Sequence, residues 1–395
     1  MKELTTEIIE FIRQHEGEDP GRLLLAAGRY PDVDVPFAVE QLMARRQIRD
    51  KLPSWHARRE VVYPSRLAAE QCSSEATATY KQKLVTGDTL GDLTGGLGVD
   101  AYFFSRTMPR VYYAERWPDY REAARRNFAT LGATNIEVVE GEAAEMAERL
   151  TVDTFYLDPA RRGEGNKRVF ALTDCEPDVL ALKPLLLRHA HQVIVKISPM
   201  ADIAETLRLL PETVEVHAVA VRNECKELLF VLENDRTGQE PTIHAVNLPA
   251  RGAVQCFSFL PSDEANAHPL FAEHVGTYLY EPHSALLKSG AFKLVSTRLG
   301  VQKLHASSHL YTADTPLPDF PGRRFRVEAV HDFSGKQLRQ LGRSLRQANL
   351  TTRNFPLTVA QLRQKSGLAE GGDCYLFATT CTPDRLVLIQ TRKAE

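Results

Sequence analysis

Four short runs hold residue types that can build a nucleotide-like cofactor site. The first is Asp92-Leu-Thr-Gly-Gly-Leu-Gly-Val-Asp100, where a strand ending in an acid leads through Thr94-Gly95-Gly96-Leu97-Gly98 towards a helix. Its glycines let backbone approach a ligand closely, and its amides face the helix N-terminus. By itself the run also satisfies a loose dinucleotide fingerprint, Gly96-x-Gly98-x-x-Ala101. Seventeen residues after Gly98, Glu115 ends the next predicted strand, where a carboxylate can accept hydrogen bonds from ribose hydroxyls or cap the following helix. The third strand runs into Gly141-Glu142, where Glu142 lies beside an adenine amino group or is a solvated first-turn acid. The fourth ends in Asp158-Pro159-Ala160-Arg161-Arg162-Gly163, a strand-end loop of the kind in which α/β sheets place their chemistry.

The elements that must position these runs follow from periodicity. Residues 1–72 read as helices, with apolar spacing at Leu4, Ile8, Phe11 and Ile12 and again at Phe37, Leu42 and Ile48, broken near Asp19-Pro20 and Tyr30-Pro31. A helix after Ser73-Ser74 runs through Thr77 to Leu84. Strands are predicted at 89–93, 111–115, 136–139, 154–158, 192–197, 214–221 and 227–233, most of them separated by helices such as 118–131 and 177–190. That alternation is the grammar of a parallel sheet covered on both faces. The linker 222–226 is too short for a parallel crossover, so the last two strands form an antiparallel hairpin. Residues 235–250 read as a boundary. After it come strand-like pieces at 253–259 and 324–330 and a helix at 281–289. A Pro/Gly-rich stretch at 315–322 marks the next junction, followed by helices 335–348 and 358–366 and strands near 374–380 and 385–392. The expected domains are a helical segment 1–72, a Rossmann-like domain 73–238, a small α+β domain 239–321 and a basic α+β domain 322–395.

In order and spacing, the glycine loop, Glu115, Gly141-Glu142 and Asp158-Pro159 resemble the class I S-adenosylmethionine-dependent methyltransferases. More narrowly, Ser73-Ser74-Glu75-Ala76-Thr77-Ala78, Lys196-Ile197-Ser198-Pro199 and Asn223-Glu224-Cys225-Lys226-Glu227-Leu228 are similar to a bacterial family of methyltransferases with a C-terminal THUMP-like domain. The similarity continues through Tyr280-Glu281-Pro282-His283, Lys293, Lys303-Leu304-His305 and Arg353-Asn354-Phe355-Pro356. The resemblance implies a seven-stranded Rossmann-like sheet with an antiparallel last strand, followed by ferredoxin-like and THUMP-like domains, with S-adenosylmethionine as cofactor. Its cofactor contacts would be Asp92, Thr94, Gly95, Gly96, Gly98, Asp100, Glu115, Glu142 and Asp158. The reacting group would be Asp158, Pro159 and Arg161 with Lys196, which either takes part or only pairs with a nearby acid.

Methyl transfer is an in-line displacement, so the site must hold the acceptor in line and remove its proton where it carries one. Amino-methylating enzymes carry Asn/Asp-Pro-Pro-aromatic; Asp158-Pro159 fits and the aromatic is absent, with Arg161 a planar substitute. Uridine C5-methylating enzymes carry Asp-Pro-Pro/Ala-Arg-x-Gly, which Asp158–Gly163 matches, and also need a nucleophilic cysteine after the next strand. Here that strand ends Lys196-Ile197-Ser198-Pro199, without one. A nitrogen or oxygen acceptor is therefore expected, with Asp158 orienting it.

The chain has 395 residues, 43% hydrophobic and 25% charged, the mixture of a globular protein with a full core. It has no apolar run of about 18–20 residues and no secretory signal at its start, and its six cysteines form no Cys-x-x-Cys pair. A cytoplasmic protein with free thiols and no membrane or metal partner is expected. His305 and His309 have metal-ligand spacing for a helix, but no third ligand is evident.

The net charge of −2 hides an asymmetry, because residues 323–365 hold ten Lys/Arg against two acids. In the helix predicted at 335–348, Lys336, Arg339, Arg343 and Arg346 repeat opposite an apolar stripe of Leu338, Leu341, Leu345 and Ala348. Such a row is either a solvated face or a track for phosphate backbone. THUMP domains bind tRNA, so the resemblance implies an RNA partner, tRNA or rRNA. The alternatives are a methyltransferase of protein or small molecules, a non-catalytic RNA-binding protein that keeps the cofactor fold, and, more remotely, a nicotinamide-dependent dehydrogenase.

Overall fold

Side-chain caps at helix starts organise the N-terminal helices of the computed structural model, which describes residues 2–161, 172, 175–234 and 238–394. Thr5 caps α1 (Thr6–Gln14), Asp19 caps α2 (Pro20–Leu25), and Asp34 caps α3 (Val35–Ile48). The short α4 (Pro53–His56) follows, then α5 (Arg66–Gln71) and α6 (Glu75–Lys81), capped by Ser65 and Ser74. Ile8, Phe11 and Ile12 of α1 are buried in one cluster with Phe37, Val39 and Leu42 of α3.

The chain then alternates through β1 (Thr89–Asp92), α7 (Val99–Phe104), β2 (Arg110–Glu115), α8 (Pro118–Thr130), β3 (Ile136–Glu140), α9 (Ala143–Arg149) and β4 (Thr154–Leu157). A two-residue ladder, β5 (Ala160–Arg161) with β6 (Cys175–Glu176), precedes α10 (Val179–His189), β7 (Gln192–Ile197), α11 (Ile203–Leu209), β8 (Thr213–Val221) and β9 (Glu224–Glu233). These strands make up seven of a nine-stranded sheet, in the order β3-β2-β1-β4-β7-β9-β8. Strands β1 to β4 and β7 are parallel neighbours, whereas β9 runs antiparallel to β7, with Lys196 opposite Leu229. The hairpin turns on Arg222-Asn223 alone, both at positive φ (52° and 66°), as a two-residue turn requires. It is thus tighter than the five-residue linker read from the sequence.

Two compact units result, Met1–Glu215 with Glu227–Gln239, and Val216–Lys226 with Glu240–Glu395. The N-terminal helices belong to the first. Two buried amides tie the stretch beyond α4 into it: Asn127 exchanges hydrogen bonds with the Val62 backbone (2.9 and 2.8 Å), and Gln41 does the same with Tyr63 (2.8 and 2.9 Å).

In the second unit, β10 (Thr242–Leu248) is a strand where the sequence read as a boundary, with β11 (Gln255–Phe259) as its antiparallel partner. After α12 (Pro261–Asn266) come β12 (Tyr278–Pro282), α13 (Ser284–Ser289), α14 (Leu294–Leu299), β13 (Gln302–Lys303), β14 (Tyr311–Ala313), β15 (Gly322–Asp332), α15 (Gly335–Leu345), β16 (Asn349–Arg353), α16 (Val359–Ser366), β17 (Cys374–Cys381) and β18 (Arg385–Lys393). The helix expected at 281–289 thus begins only at Ser284, after a strand. Seven of these strands form one sheet in the order β13-β14-β12-β15-β18-β17-β16. Helix α15 stops at Leu345 because Arg346 takes φ +61°. None of the six cysteines is in a disulfide, and no helix among the described residues is long and apolar enough to cross a membrane.

Candidate functional site

The C-terminal ends of β1, β2, β4 and β7 bring the predicted acids to one edge of the first unit's sheet. The glycine loop after β1 clamps two of them. Gly96 N–H donates to Glu115 Oε2 at 3.0 Å, and Thr94 Oγ1 accepts from Asp158 N–H at 2.7 Å. Threonine at position 94 thus has a task that glycine cannot perform. Glu115 Oε1 accepts from Trp117 N–H at 2.9 Å, so each carboxylate oxygen keeps acceptor capacity for a ligand hydroxyl. Gly95 and Gly98 are required sterically: a Cβ would stand 2.2 Å from the Tyr113 ring at Gly95 and 2.8 Å from Phe128 at Gly98, whose φ is +86°.

Asp92 is fully buried and accepts from Thr94 N–H at 3.1 Å. Burial, with Asp100 beside it, raises its carboxyl well above the ordinary aspartate value. Near the end of β7, Lys196 Nζ donates to Asp158 Oδ2 at 2.5 Å. Burial opposes the Lys196 charge, but Asp158 first, then Glu227 and Asp100, more than offset it and hold the ammonium above the ordinary lysine value. Lys196 is therefore a fixed cation bonded to Asp158, which answers whether it pairs with an acid.

Behind this edge lies an ionic cluster that sequence reasoning did not assign. Lys81, with no exposed surface, contacts Asp100 Oδ1 at 2.8 Å, Ser73 Oγ at 2.7 Å, Tyr156 Oη at 3.2 Å and Glu227 Oε2 at 3.4 Å. Ser73 and Tyr156 donate to Asp100 Oδ2 at 2.8 and 2.9 Å. Burial raises the Glu227 carboxyl against the pull of Lys81 and Lys196. For Asp100 the balance is reversed, because Lys81 and Lys196 outweigh burial and keep it below the ordinary value. Ser73 and Glu227 stand in runs that carry the family resemblance, which was the available signal. Lys81 and Tyr156 had none.

Other predicted residues are less embedded. Glu142 is largely exposed, 3.7 Å from Arg116, which also pairs with Glu176 at 2.8 Å. Pro159 lies in the loop between β4 and β5. Arg161 pairs through its backbone with Cys175, but its side chain, with Arg162 and Gly163, lies outside the described residues.

In the second unit, Lys336, Arg339 and Arg343 are exposed on α15 while Leu338 and Leu341 are buried. Arg346 is exposed too, but it leaves the helix, so the predicted row of four is a row of three with Arg346 beyond its end. His305 and His309 are on no helix. His305 Nε2 lies 3.2 Å from Asp384, and His309 stacks on Phe292 with ring centroids 3.6 Å apart.

Comparison with known proteins follows this division. Residues 278–321 match a ferredoxin-like domain family and residues 322–393 a THUMP domain-like family. An uncharacterized RNA methyltransferase of Bacillus cereus is 25% identical over 153 residues, 37% of this chain and 33% of that protein. The chain thus spans about a third of that relative's length. A protein assigned as a cobalt-precorrin-6B C(15)-methyltransferase (decarboxylating) of Sulfolobus acidocaldarius is 24% identical over 139 residues, 35% of this chain and 71% of that one. The crystal structure of a protein assigned as a methyltransferase from Porphyromonas gingivalis W83 superimposes with a TM-score of 0.89, at 36% identity over 98% of each chain. With that likeness along its whole length, this chain belongs to the same methyltransferase family, in which a class I methyltransferase fold is followed by a THUMP-like domain.

Proposed function

We propose that this protein methylates a nitrogen or oxygen of an RNA, with S-adenosylmethionine as donor. The observation that carries this reading is the double clamp of the glycine loop, which fixes Glu115 through Gly96 and Asp158 through Thr94. One loop thereby sets the distance between the cofactor end and the reacting end of the site. The acceptor set suits this cofactor: Glu115 has lone pairs left for ribose hydroxyls, and buried Asp92, bonded among the described residues only to the Thr94 amide, suits a ligand bearing positive charge. When bound, S-adenosylmethionine supplies a methyl group activated by a sulfonium centre.

The protein's own residues orient the acceptor and take its proton. Lys196 binds Asp158 Oδ2, which leaves Oδ1 to accept a hydrogen bond from the acceptor's N–H or O–H. Asp158 would take the acceptor's proton as the acceptor receives the methyl group. Lys196, held charged, steadies that carboxylate and is not itself a base. The RNA half of the proposal is supported by the THUMP-like match and by the exposed Lys336, Arg339 and Arg343 with Arg346 nearby.

Calorimetric titration tests the cofactor assignment. S-adenosylmethionine should bind and NAD should not; NAD binding alone would overturn it.

A further inference from the structure

The runs Lys303-Leu304-His305 and Arg353-Asn354 have no task in the reading above, yet the fold of the second unit brings them together. Lys303 is 2% exposed, and among the described residues its ammonium donates only to the carbonyl of Ala306. No carboxylate lies within 4 Å of it among those residues. The acid that acts on it, Glu264, is already committed to the amides of Lys293 and Leu294 at 2.8–3.1 Å. Burial lowers the Lys303 pKa to about 8, so it remains mostly charged at neutral pH. A buried ammonium without a counter-charge is expensive to maintain.

Its neighbours also carry unpartnered buried polar atoms. Lys303 Nζ sits 5.9 Å from the centroid of the Phe292 ring on which His309 stacks. His309 is held at φ +51°, and its Nδ1 is buried without a hydrogen-bond partner. Burial first, then the charges of Lys303 and Arg353, lower its pKa to about 4. Arg353 Nε is likewise buried and unpartnered, while its Nη2 pairs with Glu281 at 2.8 Å. Glu281 is already shared with Arg323, whose Nε donates to it at 2.6 Å. Asn354, next to Arg353, lies 3.1 Å from His305 Nδ1 and joins the two runs.

We propose that Lys303, His309 and Arg353 form a site for a phosphate group, presented by RNA. The lysine and arginine supply charge, and the neutral imidazole supplies a hydrogen-bond donor against the Phe292 face. The source of the phosphate rests on the RNA reading above; the anion site does not.

The test uses the full chain and Lys303→Met, melted at pH 7 in sodium phosphate or in sodium chloride of equal ionic strength. A single-stranded RNA oligonucleotide is then titrated by fluorescence anisotropy against both proteins and against an Arg339→Glu/Arg343→Glu variant. Phosphate should raise the wild-type midpoint by about 2 °C and leave that of Lys303→Met unchanged. In chloride, Lys303→Met should melt no lower than wild type, because it removes an unpaired buried charge. RNA affinity should fall about tenfold in Lys303→Met. A lower midpoint in chloride with no phosphate effect on wild type would show Lys303 to be structural and overturn the site. A Lys303-dependent phosphate effect with RNA affinity unchanged, or with no RNA binding at all, would uphold the site and assign it to free phosphate compounds, overturning its RNA source. RNA binding lost only in the α15 variant would leave the RNA reading intact while removing this site from it.

Discussion

Asp158 meets Lys196 on one oxygen and is held at its amide by Thr94, so its orientation does not depend on a bound ligand. Asp158→Ala should therefore spare cofactor binding and abolish turnover, and Lys196→Met should lower kcat by about 100-fold with cofactor affinity little changed. Methyl-transfer kinetics beside calorimetry separate the two effects; unchanged turnover in Asp158→Ala would remove its assigned role. Asp92 adds a pH dependence. Its carboxyl titrates well above the ordinary range when folded, so its contribution to stability is full below the unfolded pKa and fades as pH rises through the folded one. A cationic cofactor favours the ionised form, so affinity should rise with pH and binding should release protons, measurable in buffers of differing ionisation enthalpy. The acids Asp92, Glu115 and Asp158 were legible because each ends a strand in a recognisable rhythm. Lys81 and Tyr156 were not, because their partnership joins positions 75 residues apart and leaves no local pattern.

At the scale of elements, the loop separates folding from binding. Gly96 has nothing closer than 3.8 Å to a prospective Cβ, whereas one at Gly98 meets Phe128 at 2.8 Å. Gly98→Val should destabilise the protein by about 2–4 kcal/mol through overpacking and strain. Gly96→Arg should lose cofactor binding at a smaller stability cost, set by its φ of +54°. Denaturant unfolding and calorimetry on both variants check the contrast. The parallel strands were readable to within a residue or two because they are short apolar runs between helices. Two of the misjudged elements depended on backbone conformation: the hairpin closes on two left-handed residues, and α15 stops where Arg346 turns left-handed. Strand β16 was missed because Asn349-Leu-Thr-Thr-Arg353 is mostly polar and its strand state comes from pairing with β17.

For the whole molecule, the charge asymmetry places a basic second unit in a chain of net charge −2. RNA affinity should fall steeply as salt rises, and Arg339→Glu/Arg343→Glu should flatten that slope along with the affinity. A flat slope for wild type would favour a protein or small-molecule acceptor. Residues 1–72 read as a helical segment of their own; buried Asn127 of α8, which exchanges hydrogen bonds with the Val62 backbone, ties that segment to the sheet unit. The acceptor was the least legible feature, since Asp158-Pro159 suits more than one nucleophile. The decisive measurement is incubation of the protein with methyl-labelled S-adenosylmethionine and fractionated cellular RNA and protein. Nuclease-sensitive label should appear in the RNA fraction and disappear with Asp158→Ala; label confined to protein, or none despite cofactor binding, would refute methylation of RNA.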